Sequence, residues 1–107
     1  MSGLGEMGNL LRQAQEMQRQ LDRVRSDLRA RTVEGMAGGG AVRIEISADR
    51  REVKRVQIAP GTLGNSDEKL LEDLIQAAMR DALRRAEEIE REAIGKVTGG
   101  MQLPGLF

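Results

Sequence analysis

Between Met7 and Leu28, apolar residues recur at alternating spacings of three and four: Met7, Leu10, Ala14, Met17, Leu21, Val24 and Leu28. This is a heptad seam about three repeats long, the pattern of a helix that packs along another helix. Strong helix formers fill the remaining positions, and neither Gly nor Pro occurs between Asn9 and Arg31. The pattern predicts a helix over about residues 6–31, roughly 39 Å long at 1.5 Å per residue. A chain of 107 residues makes one domain and buries about 65% of the surface that its unfolded form exposes. A stripe this long therefore competes for a small core. Leu10, Ala14, Met17, Leu21, Val24 and Leu28 are the expected helix seam, and a homodimer is the expected way to cover it.

The next stretch changes period. Thr32 to Met36 reads as a weak first strand, and Ala41-Val42-Arg43-Ile44-Glu45-Ile46-Ser47 alternates apolar and polar residues as a half-buried strand does. Ala48-Asp49-Arg50 makes a tight turn into a third strand over Glu52–Ala59, with Val56 and Ile58 on one face and Arg55 and Gln57 on the other. Short connections make this sheet antiparallel, and Pro60-Gly61 ends it. Asn65 or Ser66 can cap a second helix over about residues 67–94. Its stripe is Leu71, Leu74, Ala78, Ala82, Ala86, Ile89 and Ala93, and Gly95 or Gly99-Gly100 closes it. The expected protomer is α+β, with α-β-β-β-α order, a three-stranded antiparallel sheet and two long helices. Strands fall at about residues 32–36, 41–47 and 52–59 within a domain spanning 1–98, and residues 99–107 form a flexible tail.

Composition removes most chemistry. The chain has no Cys and no His, which excludes disulfides, thiolate nucleophiles, Cys/His zinc sites and the usual neutral-pH base. Gly35-x-x-Gly38-Gly39-Gly40 lacks the Lys and the following helix of a phosphate loop, so it reads as a mobile linker. It could alternatively give a strand the length to cross to another subunit. Glu87, Glu88, Glu90 and Glu92 lie among arginines on one helix and read as a solvated face, not an acid–base pair. No catalytic residue, metal, cofactor or small-molecule substrate is expected. Neither a membrane span nor a secretory signal is visible, so the expected setting is soluble and cytoplasmic.

Charge balances at seventeen basic against seventeen acidic residues, and the pI near 6.3 is no signature of a nucleic-acid binder. The distribution is less even. The first helix carries six Arg against four acids, while residues 67–96 carry six basic residues against nine acids. Arg12, Arg19, Arg23 and Arg29 fall at heptad positions facing away from the seam, with Arg31 at the helix end and Arg84 and Arg85 on the second helix. Guanidinium forks suit phosphate, although a solvated helix face predicts outward charge as well.

Several stretches resemble the YbaB/EbfC family of bacterial nucleoid-associated DNA-binding proteins. They are Met7-Gly8-Asn9-Leu10-Leu11-Arg12-Gln13-Ala14-Gln15-Glu16-Met17-Gln18, the Gly-rich segment before Val42-Arg43-Ile44-Glu45-Ile46, Arg55-Val56-Gln57-Ile58-Ala59-Pro60, Leu71-Glu72-Asp73-Leu74-Ile75-Gln76-Ala77-Ala78, and Gly100-Met101-Gln102-Leu103-Pro104-Gly105. Their order and spacing cover nearly everything from Met7 onward. The chain departs from the family in a shorter tail and a more Arg-rich first helix. The resemblance implies a tight, intertwined, tweezer-like dimer that binds double-stranded DNA with low sequence specificity. It also implies a nucleoid location and a role in nucleoid organisation or gene regulation, without metal or cofactor. On it, Arg12, Arg19, Arg23, Arg29, Arg31, Arg84 and Arg85 become candidate phosphate contacts. The alternative is a dimeric protein–protein adaptor, favoured by the neutral net charge and the acidic second helix.

Overall fold

The computed structural model describes residues 2–62 and 67–99. Its elements are α1 (Ser2–Ala30), β1 (Thr32–Ala37), β2 (Val42–Ser47), β3 (Val53–Ile58) and α2 (Glu68–Thr98). The strands pair antiparallel in the order β1-β2-β3. Ile44 sits opposite both Gly35 and Val56, so the apolar residues of the three strands, Met36 apart, share one face. Against that face lies α2, whose Ala78, Ala82 and Ala86 are fully buried at four-residue spacing. Leu28, Val33, Val42, Ile44 and Ile46 complete the core, with Val24, Leu71, Leu74 and Ile89 packed at its margin. Each fully buried aliphatic side chain contributes about 1.5–3 kcal/mol relative to exposure. Small residues on α2 let helix and sheet come close, and Gly35 is where they come closest. A Cβ at Gly35 would overlap the backbone nitrogen of Ala82 and the backbone oxygen of Ala78.

The molecule is elongated, 77 × 21 × 16 Å, with a radius of gyration of 20.2 Å where a packed chain of this size measures about 13 Å. The extension is α1. Its last turns join the core through Leu28 and Val24, Leu21 is buried, and Asn9–Glu16 are exposed throughout. The heptad seam is therefore divided. Leu21, Val24 and Leu28 serve the protomer's own fold, Met17 is half-buried, and Ala14 and Leu10 face solvent. A second apolar surface stays open at the sheet edge, because α2 covers β1 and β2 while Val53 and Val56 of β3 are each more than half exposed.

Three local outcomes differ from the sequence expectation. The helix α1 begins at Ser2, through Gly3, Gly5 and Gly8, because extending an existing helix costs far less than nucleating one. Residues 38–41 are a hairpin turn closed by the Ala37–Val42 pair, not a mobile linker. Gly38, Gly39 and Gly40 all take positive φ there, which only glycine adopts without strain, and β1 pairs with β2 of the same chain. At the start of α2 the cap is Asp67, whose side chain accepts from the Leu70 N–H at 3.0 Å. Asn65, Ser66 and all but the first residue of the expected tail lie outside the described residues. At the far end α2 runs to Thr98 and closes on Gly99, in the left-handed conformation with its N–H donating to the Gly95 carbonyl.

Asp81 fastens α2 to the sheet edge. Its Oδ2 accepts the Met36 backbone N–H at 3.0 Å, while the guanidiniums of Arg84 and Arg85 hold the same carboxylate at 3.0 and 3.1 Å. The Met36 N–H, then the two arginines, keep the Asp81 carboxyl below its ordinary pKa. A lowered folded-state pKa stabilises the protein above the unfolded-state value and loses that contribution as pH falls. Asp81→Ala is accordingly expected to cost about 1–3 kcal/mol at pH 7, with the gap from the parent protein closing below about pH 4. Calorimetric melts at pH 7 and pH 3 would measure both; an equal gap at both values would contradict the role given to Asp81.

Candidate nucleic-acid interface

Three arginines of the projecting helix share one side, with the acids Glu16 and Asp27 beside them. At 3.6 residues per turn, Arg12, Arg19 and Arg23 lie within about 40° of one another and opposite the Leu21–Leu28 side of α1. All three are exposed. Among the described residues, Arg12 and Arg23 form no ion pair, while Arg19 lies 3.7 Å from the equally exposed Glu16. Such an exposed pair is worth little and yields readily to a competing anion. From Arg12 to Arg23 the row runs about 17 Å, long enough to meet several phosphates of a duplex that carries one charge per about 1.7 Å of axis.

The remaining arginines sit differently. Arg29 is on the flank of α1, exposed and 3.8 Å from Asp49. Arg31 follows the helix, with its backbone N–H returned to the carbonyls of Asp27 and Leu28. Arg84 and Arg85 are held by Asp81, and Arg84 also by Glu88 at 2.9 Å. The Asp81 contact, followed by Glu88, raises the Arg84 pKa. These two residues clamp the α2–β1 junction, so a phosphate would have to displace carboxylates to reach them. The pair on α2 is thus engaged by carboxylates where Arg12 and Arg23 are not, and Arg31 and Arg85 line one shallow cleft. Sequence reasoning missed a second basic group on the β2–β3 hairpin: Arg50, Arg51, Lys54 and Arg55, four basic residues within six positions. That density was visible in the chain, but the heptad drew attention to the helix. Among the described residues no acidic cluster could hold a metal ion, and no helix is long and apolar enough to cross a membrane.

Comparison with known proteins agrees with this architecture. The model of the YbaB/EbfC DNA-binding family matches residues 3–101. A nucleoid-associated protein of Acetivibrio thermocellus is 44% identical over 104 residues, covering 96% of this chain and 91% of the relative. One from Alkaliphilus metalliredigens is 41% identical over 107 residues, covering 100% of this chain and 93% of the relative. In three dimensions the chain resembles an uncharacterised Helicobacter pylori protein of known crystal structure. The TM-score is 0.71 at 19% identity, over 89% of this chain and 96% of the other.

Proposed function

The chain belongs to the YbaB/EbfC DNA-binding family, and from that membership we propose that it works in the nucleoid as a homodimer gripping double-stranded DNA. The observation that carries this proposal is the projecting α1, with an arginine row on one side and an unpartnered apolar stripe elsewhere. Leu4, Met7, Leu10 and Leu11 are each about 60% exposed or more. Large apolar side chains grouped in this way mark an interaction surface, and the open β3 edge with Val53 and Val56 is a second one. A second copy covers these surfaces and doubles the arginine rows on one particle.

Contact through phosphates carries no sequence information. The chain contains one aromatic residue, Phe107, so stacking on unpaired bases is not its mode of binding. Low sequence specificity follows, and any influence on gene expression would come through DNA organisation. The family is one of DNA-binding proteins, not enzymes. A protein–protein adaptor is the second reading, because the same exposed apolar arm would suit a protein partner.

Titration of a labelled 20-base-pair duplex separates the two. Phosphate-based binding should weaken steeply, by about 10³-fold or more between 50 and 200 mM salt if six or more phosphates are neutralised. Absent or salt-insensitive binding would favour the adaptor.

A further inference from the structure

We propose that the cleft between the end of α1, the β2–β3 turn and α2 is a phosphate-binding site, separate from the arginine row. The cleft, about 470 Å³, is lined by Arg25 and Arg29 of α1 and by Arg50 and Arg51 of the turn. Around α1, Arg25 and Arg29 lie about 140° and 100° from Arg12 and about 160° and 120° from Arg23, so a phosphate held here is not one lying along that row.

Four guanidiniums meet two carboxylates in this cleft, Asp49 and Glu90, and the carboxylates are already engaged. Glu90 binds Arg50 at 3.0 Å. Asp49 Oδ1 accepts from Ser47 Oγ at 2.6 Å and from the Arg51 N–H at 3.1 Å. Its other oxygen is 3.8 Å from Arg29. These contacts, led by the Ser47 hydroxyl, hold the Asp49 carboxyl below its ordinary pKa. Among the described residues Arg51 forms no direct ion pair, although its charge acts on Asp49, and Arg25 has only the exposed Asp22 at 3.3 Å. Two guanidiniums are therefore available for an incoming anion. The floor is apolar, made by Leu28 and Ile94, which are 5% and 6% exposed. Charges above such a floor interact more strongly than charges surrounded by water. The negative end of the α1 dipole lies close by, but the Arg31 N–H occupies two of its last carbonyls at 3.0 and 3.3 Å.

The turn is built to hold this geometry. Ser47, 1% exposed, accepts the backbone N–H groups of Arg51 and Glu52 at 3.2 and 3.0 Å. Arg50 has φ +64°, a left-handed conformation that Gly or Asn adopts more easily than a long side chain does. The arginine at this strained position is tied to Glu90 across the cleft. Arg50 thereby fixes the rim, and Arg51 and Arg25 supply the forks that suit a phosphate oxygen pair.

Two sources share this phosphate chemistry: the backbone of a duplex and a small phosphorylated ligand. The duplex source rests on the function proposed above, whereas the small ligand does not. The test uses the full chain and the double variant Arg25→Gln/Arg51→Gln, with Arg50 left in place to keep the turn. Arginine Nε–H resonances are followed on adding inorganic pyrophosphate, and affinity for a 20-base-pair duplex is measured against salt. A duplex phosphate in the cleft flattens the variant's logarithmic salt slope by about 0.9 for each phosphate lost. Saturable pyrophosphate shifts at Arg25 and Arg51, with an unchanged duplex slope, assign the cleft to a small phosphorylated ligand. The absence of both effects would overturn the proposal, while duplex binding by the parent chain would leave the DNA reading intact. Pyrophosphate shifts in a protein that binds no duplex would support the cleft and overturn the DNA reading. The lysine pair Arg25→Lys/Arg51→Lys keeps the charge and should restore part of whichever effect is seen.

Discussion

Replacing Gly35 by alanine is expected to lift α2 off the sheet and cost about 3 kcal/mol or more, at the upper end of what overpacking does. The atoms in the way are the backbone nitrogen of Ala82 and the backbone oxygen of Ala78, which cannot swing aside as the end of a flexible side chain can. To admit one methyl group the helix must move bodily. Ala78, Ala82 and Ala86, all fully buried, would then lose their contacts together, and the Asp81–Met36 hydrogen bond beside them would stretch. For a domain of this size each kcal/mol moves the melting temperature by about 4–8 °C, so a fall of more than 10 °C is expected. Gly39→Ala is the comparison. Open space surrounds Gly39, and its φ of +67° is the sole penalty, so about 1 kcal/mol should be lost. Equal melting temperatures for the two variants would mean that α2 does not sit on Gly35 as described.

The second large effect is on DNA. Arg12→Gln, Arg19→Gln and Arg23→Gln together should lower duplex affinity by at least a hundredfold near 0.1 M salt. They should also flatten the salt slope by about 0.9 for each phosphate contact removed. Because all three side chains are exposed, stability should change by no more than about 0.5 kcal/mol at each position. That pairing separates a binding defect from a folding one. The companion variant Arg84→Gln/Arg85→Gln should do the reverse, weakening the hold on Asp81 and leaving the row on α1 intact. Undiminished duplex binding by the triple variant would remove the row from the interface.

The sheet and the second helix were legible because each has a single period and a single buried face. Val42, Ile44 and Ile46 alternate strictly, and Ala78, Ala82 and Ala86 repeat every fourth residue. The heptad on α1 was equally visible, but its use was not. A seam reports that a helix face is apolar, not whether its partner is the protein's own sheet or another chain. Here Leu28 meets the core while Leu10 meets solvent. The glycines at 38–40 misled for a related reason: composition marks freedom, while the positive φ values that make a tight turn depend on the pairing at either side. The bond from Met36 to Asp81 was hidden because an edge N–H in need of an acceptor leaves no pattern in the chain. Arg50 and Arg51 were visible as charge, but only the folded turn brings them beside Arg25 and Arg29. DNA as a partner came from family resemblance; the arginines alone do not distinguish a phosphate row from a solvated face.

The central claim is that two copies join through the apolar surfaces left open on α1 and β3 and bind a duplex as one particle. Sedimentation equilibrium at micromolar concentration, with and without a 20-base-pair duplex, tests it most directly. The expected result is a species of twice the 11.8 kDa chain mass that moves with the duplex at 50 mM salt and releases it as salt is raised. A stable 11.8 kDa monomer, or a dimer that leaves the duplex sedimenting alone at 50 mM salt, would contradict it.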